Sequence, residues 1–464
     1  MSDLAYLSIA KAAQRLRAGK LSPVAYVEAL LDRIGRLDAR FHAFIRTTPD
    51  LAMAAARQAE RDIAAGNWRG PLHGIPFALK DIIDWSGLPT TAHSKVLADN
   101  VAVSDAVVSQ RLRDAGAIMM GKLATHEFAI GGPSFDLPWP PAVNPWGGNH
   151  FPGGSSSGSG VALALGMVPA ALGTDTGGSV RNPASMCSIV GMKPTYGLVS
   201  RRGVFPLANS LDHVGPMTRD VRDNALLLQV LAGHDGDDPG SAQVPIPDYA
   251  AGLEAGVEGL RIGLVRHFYT EDCDAHPEQI AALDQAAELL RSLGAGVRDL
   301  RLAPLEQYAT ATRIIIRCEA FAIHRQWLAM RPDDYGDLAR QRILDGATVS
   351  AADYIDALRL RARLTRQTLA AFADIDVALT ASNMDPTCPI EDAEACARLY
   401  PRQARQPFNI TGQPALAMPA GFTRDGLPLS LQLIGHPFQE AMVYRVAEAY
   451  ERATAWSERH PPGL

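Results

Sequence analysis

The hydrophobic pattern opens with a helical stripe. Val27, Leu30, Leu31 and Ile34 recur at the period of a helix. They follow Ser22-Pro23, a capping serine before a proline suited to the first turn. Residues 8–37 therefore predict two helices broken at Gly19. Residues 41–45 read as a short strand, and the alanine-rich stretch 51–65 as a helix stopped by Gly66. The pattern then changes. LHGIPFALKDII, residues 72–83, is a nearly unbroken apolar run with Lys80 near its end, as expected of a buried strand. A helix over 105–115 and a strand over 117–120 follow. Further strands are predicted at 260–265, at 375–379 and on both sides of Asp425-Gly426. Further helices are predicted at 220–231, 277–293, through most of 304–374 and at 439–454. Residues just after Arg181 read as short strands and turns, and 235–255 as a surface loop. This alternation predicts an α/β layered fold. No repeat or break in composition divides the chain.

One stretch does not fit simple patterning. Residues 152–181 read PGGSSSGSGVALALGMVPAALGTDTGGSVR, two Gly/Ser clusters around an apolar run. A flexible linker would be Gly/Ser-rich throughout. Here the run reads as helix, then strand, then loop. The first cluster places hydroxyls and free N–H groups at a helix start. The second holds Ser179 beside two glycines, which let backbone amides converge on a small anion. A Walker A loop needs a lysine that GGSSSGSGVA lacks, and G-x-G-x-x-G does not occur. Residues 154–158 satisfy G-x-S-x-G around Ser156, but no strand precedes them and His213 has no diagnostic setting. A further reading is a serine nucleophile served by lysine. Lys80 is then of interest, because lysine is rarely buried unless paired. It either snorkels or pairs with Asp81, or it is a desolvated amine able to act as a base.

Composition narrows the classes. Hydrophobic residues make up 47% and charged residues 20%, as in ordinary soluble enzymes. The net charge of −6 and the lack of a Lys/Arg run argue against a nucleic-acid partner. Five scattered cysteines, none in C-x-x-C spacing, suggest neither a disulfide framework nor a zinc knuckle, and fit reduced thiols in the cytoplasm. The first residues do not read as a signal peptide, and no run approaches a membrane span. His126-Glu127 begins like H-E-x-x-H, but position 130 is isoleucine, so His126 reads as structural and no metal is expected. Loop 135–149 carries Phe135, Trp139 and Trp146, which either pack on the core or line a pocket.

Residues 153–181 resemble the signature of the amidase signature family: GGSSGGS, an apolar spacer, then G-[ST]-D-x-G-G-S-[IV]-R. The likeness extends to HGIPFALKD, GMKPTYGLVSRRG and FNITGQPALAMPAGF, and so covers essentially the whole chain. It departs at Ser157, often glycine, and at Ala381-Ser382-Asn383, where many members carry Thr-Pro. The resemblance implies one α/β/α domain over 1–464, built on a central mixed β-sheet flanked by helices. Its signature core would span about 72–220, and a more variable, substrate-facing region about 235–400. It implies a Ser–Ser–Lys triad: Ser179 as nucleophile, Ser155 as bridging serine after a cis Gly154–Ser155 peptide, and Lys80 as base. The amides of Thr176, Gly177, Gly178 and Ser179 would form the oxyanion hole, with Asp175 and Arg181 holding the loop. Phe135 and Trp139 are the expected substrate contacts. No metal or organic cofactor is implied. The expected activity is hydrolysis of a linear amide, with carbamates and esters as related substrates. The expected setting is a cytoplasmic monomer or homodimer acting on a small molecule, without nucleic acid or membrane. The alternative is the glutamine-hydrolysing A subunit of a tRNA-dependent amidotransferase, which works in a complex. A binding protein on the same fold is disfavoured because all three triad residues are present.

Overall fold

In the computed structural model, which describes residues 2–463, an 11-stranded mixed sheet runs through the molecule. The strands are β1 (Phe44–Thr47), β2 (Pro76–Lys80), β3 (Ile118–Leu123), β4 (Ala170–Thr174), β5 (Val190–Lys193), β6 (Val214–Thr218), β7 (Arg261–Leu264), β8 (Gly296–Asp299), β9 (Val377–Ala381), β10 (Ala415–Phe422) and β11 (Pro428–Gly435). Their order is β1-β3-β2-β4-β6-β5-β10-β11-β9-β7-β8. β2 runs parallel to both β3 and β4, and β7 is parallel to β8 and β9. The other pairings are antiparallel.

Helices cover both faces, so every residue of β2, β3, β4, β9 and β11 is buried. That double burial is why these strands read as continuous apolar runs. The predicted caps form: the Ser22 hydroxyl accepts from the Ala25 amide at 3.2 Å, and Asp220 accepts from the Asp223 amide at 2.8 Å. The hairpin of β10 and β11 turns at Asp425-Gly426, closed by the Thr423 amide on the Leu427 carbonyl.

Three elements differ from the sequence reading. The first strand starts at Phe44 because helix Pro23–Phe41 runs on until His42 closes it in the left-handed region. Helix Arg181–Met186 stands where the pattern predicted turns and short strands. β8 is a short, largely exposed edge strand with no apolar run to announce it. The Gly/Ser-rich stretch lies deep in the core. All eight residues of helix Ser157–Ala164 are buried, and so are all five of β4. Among the described residues no helix is long and apolar enough to cross a membrane.

Candidate active site

The carboxyl ends of β2 and β4 face each other, since Leu79 pairs with Leu172. Such strand ends are where open α/β sheets place ligands. Lys80 ends β2 and is completely buried. Its Nζ donates to Ser155 Oγ and to Thr174 Oγ1, each at 2.7 Å. The sequence left open a pairing with Asp81. The structure rules it out, because Asp81 Oδ1 lies 3.1 Å from Lys122 Nζ and Asp81 Oδ2 accepts from the Thr91 hydroxyl. Burial lowers the Lys80 pKa to about 7, against the opposing pull of Asp212 and Asp175. A large neutral fraction therefore exists at physiological pH.

Ser155 follows a cis Gly154–Ser155 peptide. The Gly154 amide donates to Asn182 Oδ1 at 2.8 Å, and the Ser155 carbonyl accepts from the His126 amide at 3.1 Å. A methyl group on Gly154 would overlap the His126 ring, so only glycine allows this approach. Ser156, the centre of the G-x-S-x-G match, is spent on structure. Its hydroxyl donates to the Thr174 carbonyl and accepts from the Thr174 amide, and its own amide donates to the Ser179 carbonyl at 3.3 Å. The two Gly/Ser clusters thus meet through backbone.

Asp175 organises the loop carrying Ser179. Its carboxylate accepts from Arg181 Nε at 3.0 Å, Arg181 Nη2 at 2.9 Å and Asn409 Nδ2 at 2.7 Å. Burial alone would raise its pKa, but the Arg181 charge and these bonds hold it far below the usual carboxylate range. Asp175 also takes the Gly178 amide at 2.9 Å. This corrects the expected oxyanion hole: the Gly178 N–H is committed to the loop's own Asp. Among the described residues the amides of Thr176, Gly177 and Ser179 have no such partner. Gly178 still has to be glycine, because its φ is +126°. The Thr176 hydroxyl donates to Asp212 at 2.6 Å, and burial pushes the Asp212 pKa up to about 6. Ser179 keeps 6% of its surface exposed.

The aromatic loop is arranged differently from its expected role. Phe135 is 62% exposed, and Trp139 offers its carbonyl to His93 Nε2 at 3.0 Å. Neither lines the cavity next to Ser157. Ser134 and Leu137 of the same loop do, with His93, His126, Glu127 and Phe151. Trp146 packs in the core, its indole N–H donating to the Cys187 carbonyl. His126, read from the sequence as structural, also borders this cavity. It is buried against the cis bond with Nε2 unpartnered. Thr174, Asn182 and Asn409 were also missed. Thr174 sits inside the GTDTGGS cluster, and that position was its only signal. Among the described residues no cluster of three or more His, Cys, Asp or Glu could hold a metal ion.

A buried lysine in contact with a serine, beside a glycine-rich loop with unengaged amides, is an arrangement that can activate a serine hydroxyl without histidine. The family model described as Amidase matches residues 25–444, and the chain belongs to the amidase signature family. More particularly, it is 42% identical to the glutamyl-tRNA(Gln) amidotransferase A subunit of Geobacter metallireducens, over 98% of each chain. Among solved structures it resembles the inhibitor-bound form of a vestigial protein complex connected with the origins of an s-triazine catabolic enzyme. There the TM-score is 0.90 at 32% identity, over 97% of this chain and 99% of that one. Native peptide amidase from Stenotrophomonas maltophilia matches with a TM-score of 0.87 at 32% identity, over 98% of each chain. The expected setting, a small-molecule substrate without nucleic acid, is narrower than these relatives: the first carries tRNA in its name.

Proposed function

We propose that this protein hydrolyses a carboxamide through an acyl-enzyme on Ser179, as the glutamine-hydrolysing A subunit of a tRNA-dependent amidotransferase. The chemistry is carried by the 2.7 Å contact between Lys80 Nζ and Ser155 Oγ in a fully buried setting. With Lys80 neutral, Ser155 donates its proton to Nζ while accepting the Ser179 proton. Ser179 Oγ then bonds to the amide carbon. The carbonyl oxygen takes the negative charge towards the amides of Thr176, Gly177 and Ser179. Losing one such donor typically costs about 3 kcal/mol. The relay returns the proton to the amide nitrogen, the C–N bond breaks, and ammonia leaves. Water enters by the same relay, cleaves the ester and restores Ser179. The choice of an amidotransferase over a plain amidase rests on full-length similarity to the Geobacter metallireducens protein, and it brings partner subunits and a tRNA-bound acceptor with it.

A second reading, a free-standing amidase, has one observation in its favour. The backbone fits the s-triazine-related and peptide amidase structures with TM-scores of 0.90 and 0.87. Purified protein, alone and with its partner subunits, is offered glutamine, peptide amides and aryl amides in the presence of hydroxylamine. Glutamyl hydroxamate that forms with the parent and vanishes in Ser179→Ala is the expected result. Hydrolysis by Ser179→Ala within about tenfold of the parent would overturn the nucleophile assignment. Aryl or peptide amides turned over faster than glutamine by the chain alone would favour the second reading.

A further inference from the structure

Two thiols face each other outside the candidate active site. Cys388 and Cys396 are 8 positions apart, and their sulfurs lie 3.6 Å from one another. Each keeps 8% of its surface exposed. They pack with Phe151, Ile390 and Ala395 in a small apolar cluster separate from the main core. Among the described residues no other two cysteines make such a contact. Cys187, by contrast, is wholly buried, its thiol donating to the Pro152 carbonyl. The hydrogen bond between the paired sulfurs lowers the Cys388 pKa and raises that of Cys396, and burial pushes both up. Cys388 is therefore the sulfur that more readily becomes a thiolate, the form that reacts.

The segment that carries them is strapped to the approach to Ser155. The Phe151 amide donates to the Cys388 carbonyl at 2.8 Å, and the Ile390 amide to the Asn149 carbonyl at 2.9 Å. Upstream, Asn383 Oδ1 accepts from Asn182 Nδ2 at 3.0 Å, and Asn182 in turn holds the Gly154 amide. Cys396 stands on the short helix Ala393–Leu399, which leads into Tyr400. Both thiols line one cavity with Asn182, Asn383, Tyr400 and Arg402. A small oxidant entering there meets both sulfurs.

We propose that Cys388 and Cys396 form a reversible oxidation site for hydroperoxides, and that closing their disulfide slows the neighbouring hydrolytic site. The Cys388 thiolate attacks one oxygen of the peroxide. The O–O bond breaks, Cys388 becomes a sulfenic acid, and the other oxygen takes a proton and leaves as water or an alcohol. The Cys396 sulfur then attacks the Cys388 sulfur. An S–S bond forms, the S–O bond breaks, and hydroxide leaves as water with the Cys396 proton. Two thiols are oxidised and one peroxide is reduced, a two-electron exchange that a thiol reductant reverses. Bonding draws the sulfurs closer than their present contact, so helix Ala393–Leu399 and the Cys388 strap move together. Phe151 and Asn383 pass that movement to residues 151–155, where a misplacement of about 1 Å is enough to cost up to about a hundredfold in rate. The thiol chemistry stands by itself, whereas the loss of activity rests on the reading of Ser179 as the nucleophile of amide hydrolysis.

The test treats the reduced protein with hydrogen peroxide. The intact mass should fall by two hydrogens, two of the five thiols should disappear, and a peptide map without reductant should join Cys388 to Cys396. In Cys396→Ser, dimedone should trap a sulfenic acid at Cys388. In Cys388→Ser, neither adduct nor link should form on this segment. Amide kcat/KM of the parent should fall by about tenfold and return with dithiothreitol. Both serine variants should keep the activity of the reduced parent through the same treatment. Absence of the link, oxidation confined to the other cysteines, or a linked protein as active as the reduced one would overturn the proposal. If a serine variant does not fold, the parent's peptide map and its recovery with dithiothreitol decide. If no amide is turned over, the hydrolase reading fails, and the peptide map still decides whether the oxidation site exists.

Discussion

Lys80 and Lys122 lie on neighbouring parallel strands, and both are sealed from solvent. Lys122 Nζ contacts Asp81 at 3.1 Å, the Ile83 carbonyl at 2.8 Å and the Thr90 hydroxyl at 2.9 Å. Among the described residues, Lys80 has only the hydroxyls of Ser155 and Thr174 within bonding distance. The difference teaches that burial alone does not make a base. A carboxylate in contact engages the amine and turns the lysine into a fastener. Hydroxyls in contact solvate the nitrogen without fixing its charge, so desolvation can bring its pKa to about 7.

Substitution can break this comparison. Lys80→Met should have the largest effect, a loss of about a thousandfold or more in amide kcat/KM, in line with removal of a base that drives a serine nucleophile. Its Tm should change little, because no charge is left unpaired. Loss of ester hydrolysis with amide hydrolysis intact would refute the relay, since an amine leaves only after protonation. Lys122→Met should do the reverse. It strands Asp81 as a buried unpaired carboxylate and should cost about 3–5 kcal/mol of stability by denaturant unfolding. Catalysis per folded molecule should stay within about tenfold of the parent.

The pH dependence sharpens the contrast further. In the proposed relay neutral Lys80 is the working form, so activity should be present above its folded pKa and lost below it. The acid limb of kcat/KM should therefore have a midpoint near 7 with a slope of one. Thr174→Val gives the smallest effect. The Thr174 oxygen accepts from Nζ and so stabilises the ammonium, and its loss should move the acid limb to lower pH. The rate above that limb should fall by about three- to tenfold, the worth of one hydrogen bond. A limb that moves upward, or does not move, would show that Thr174 does not solvate the base.

Much of this was legible in the chain. The strands buried on both faces announced themselves as apolar runs, and Lys80, Ser155 and Ser179 could be named from their motifs. What was hidden depended on direction in space. Lys80 and Asp81 are adjacent in sequence, so a pairing between them was a natural alternative. β2 ends at Lys80 and the chain turns at Asp81, which meets Lys122 instead. Helix Arg181–Met186 has six residues with Pro183 among them, too few for a period to emerge. It is held by the contacts of Arg181 and Asn182 with remote segments. The commitment of the Gly178 amide to Asp175 is a matter of loop geometry that composition does not carry. Arg405 approaches Gly178 from far along the chain, where no local pattern points to it. Phe135 is a different case: an aromatic in a loop near the site suggested a substrate contact, and the fold leaves it at the surface, where a sequence pattern cannot place it.

The Asp175–Arg181 pair ties together parts of the chain that lie far apart in sequence. Arg181 Nη2 donates to Asn409 at 2.7 Å and Nη1 to Gln432 at 3.1 Å, and Asn409 closes on Asp175. The loop around Ser179 is thus held by residues 228 and 251 positions beyond Arg181. Its shape is a property of the whole packed sheet and not of the Gly/Ser-rich stretch alone.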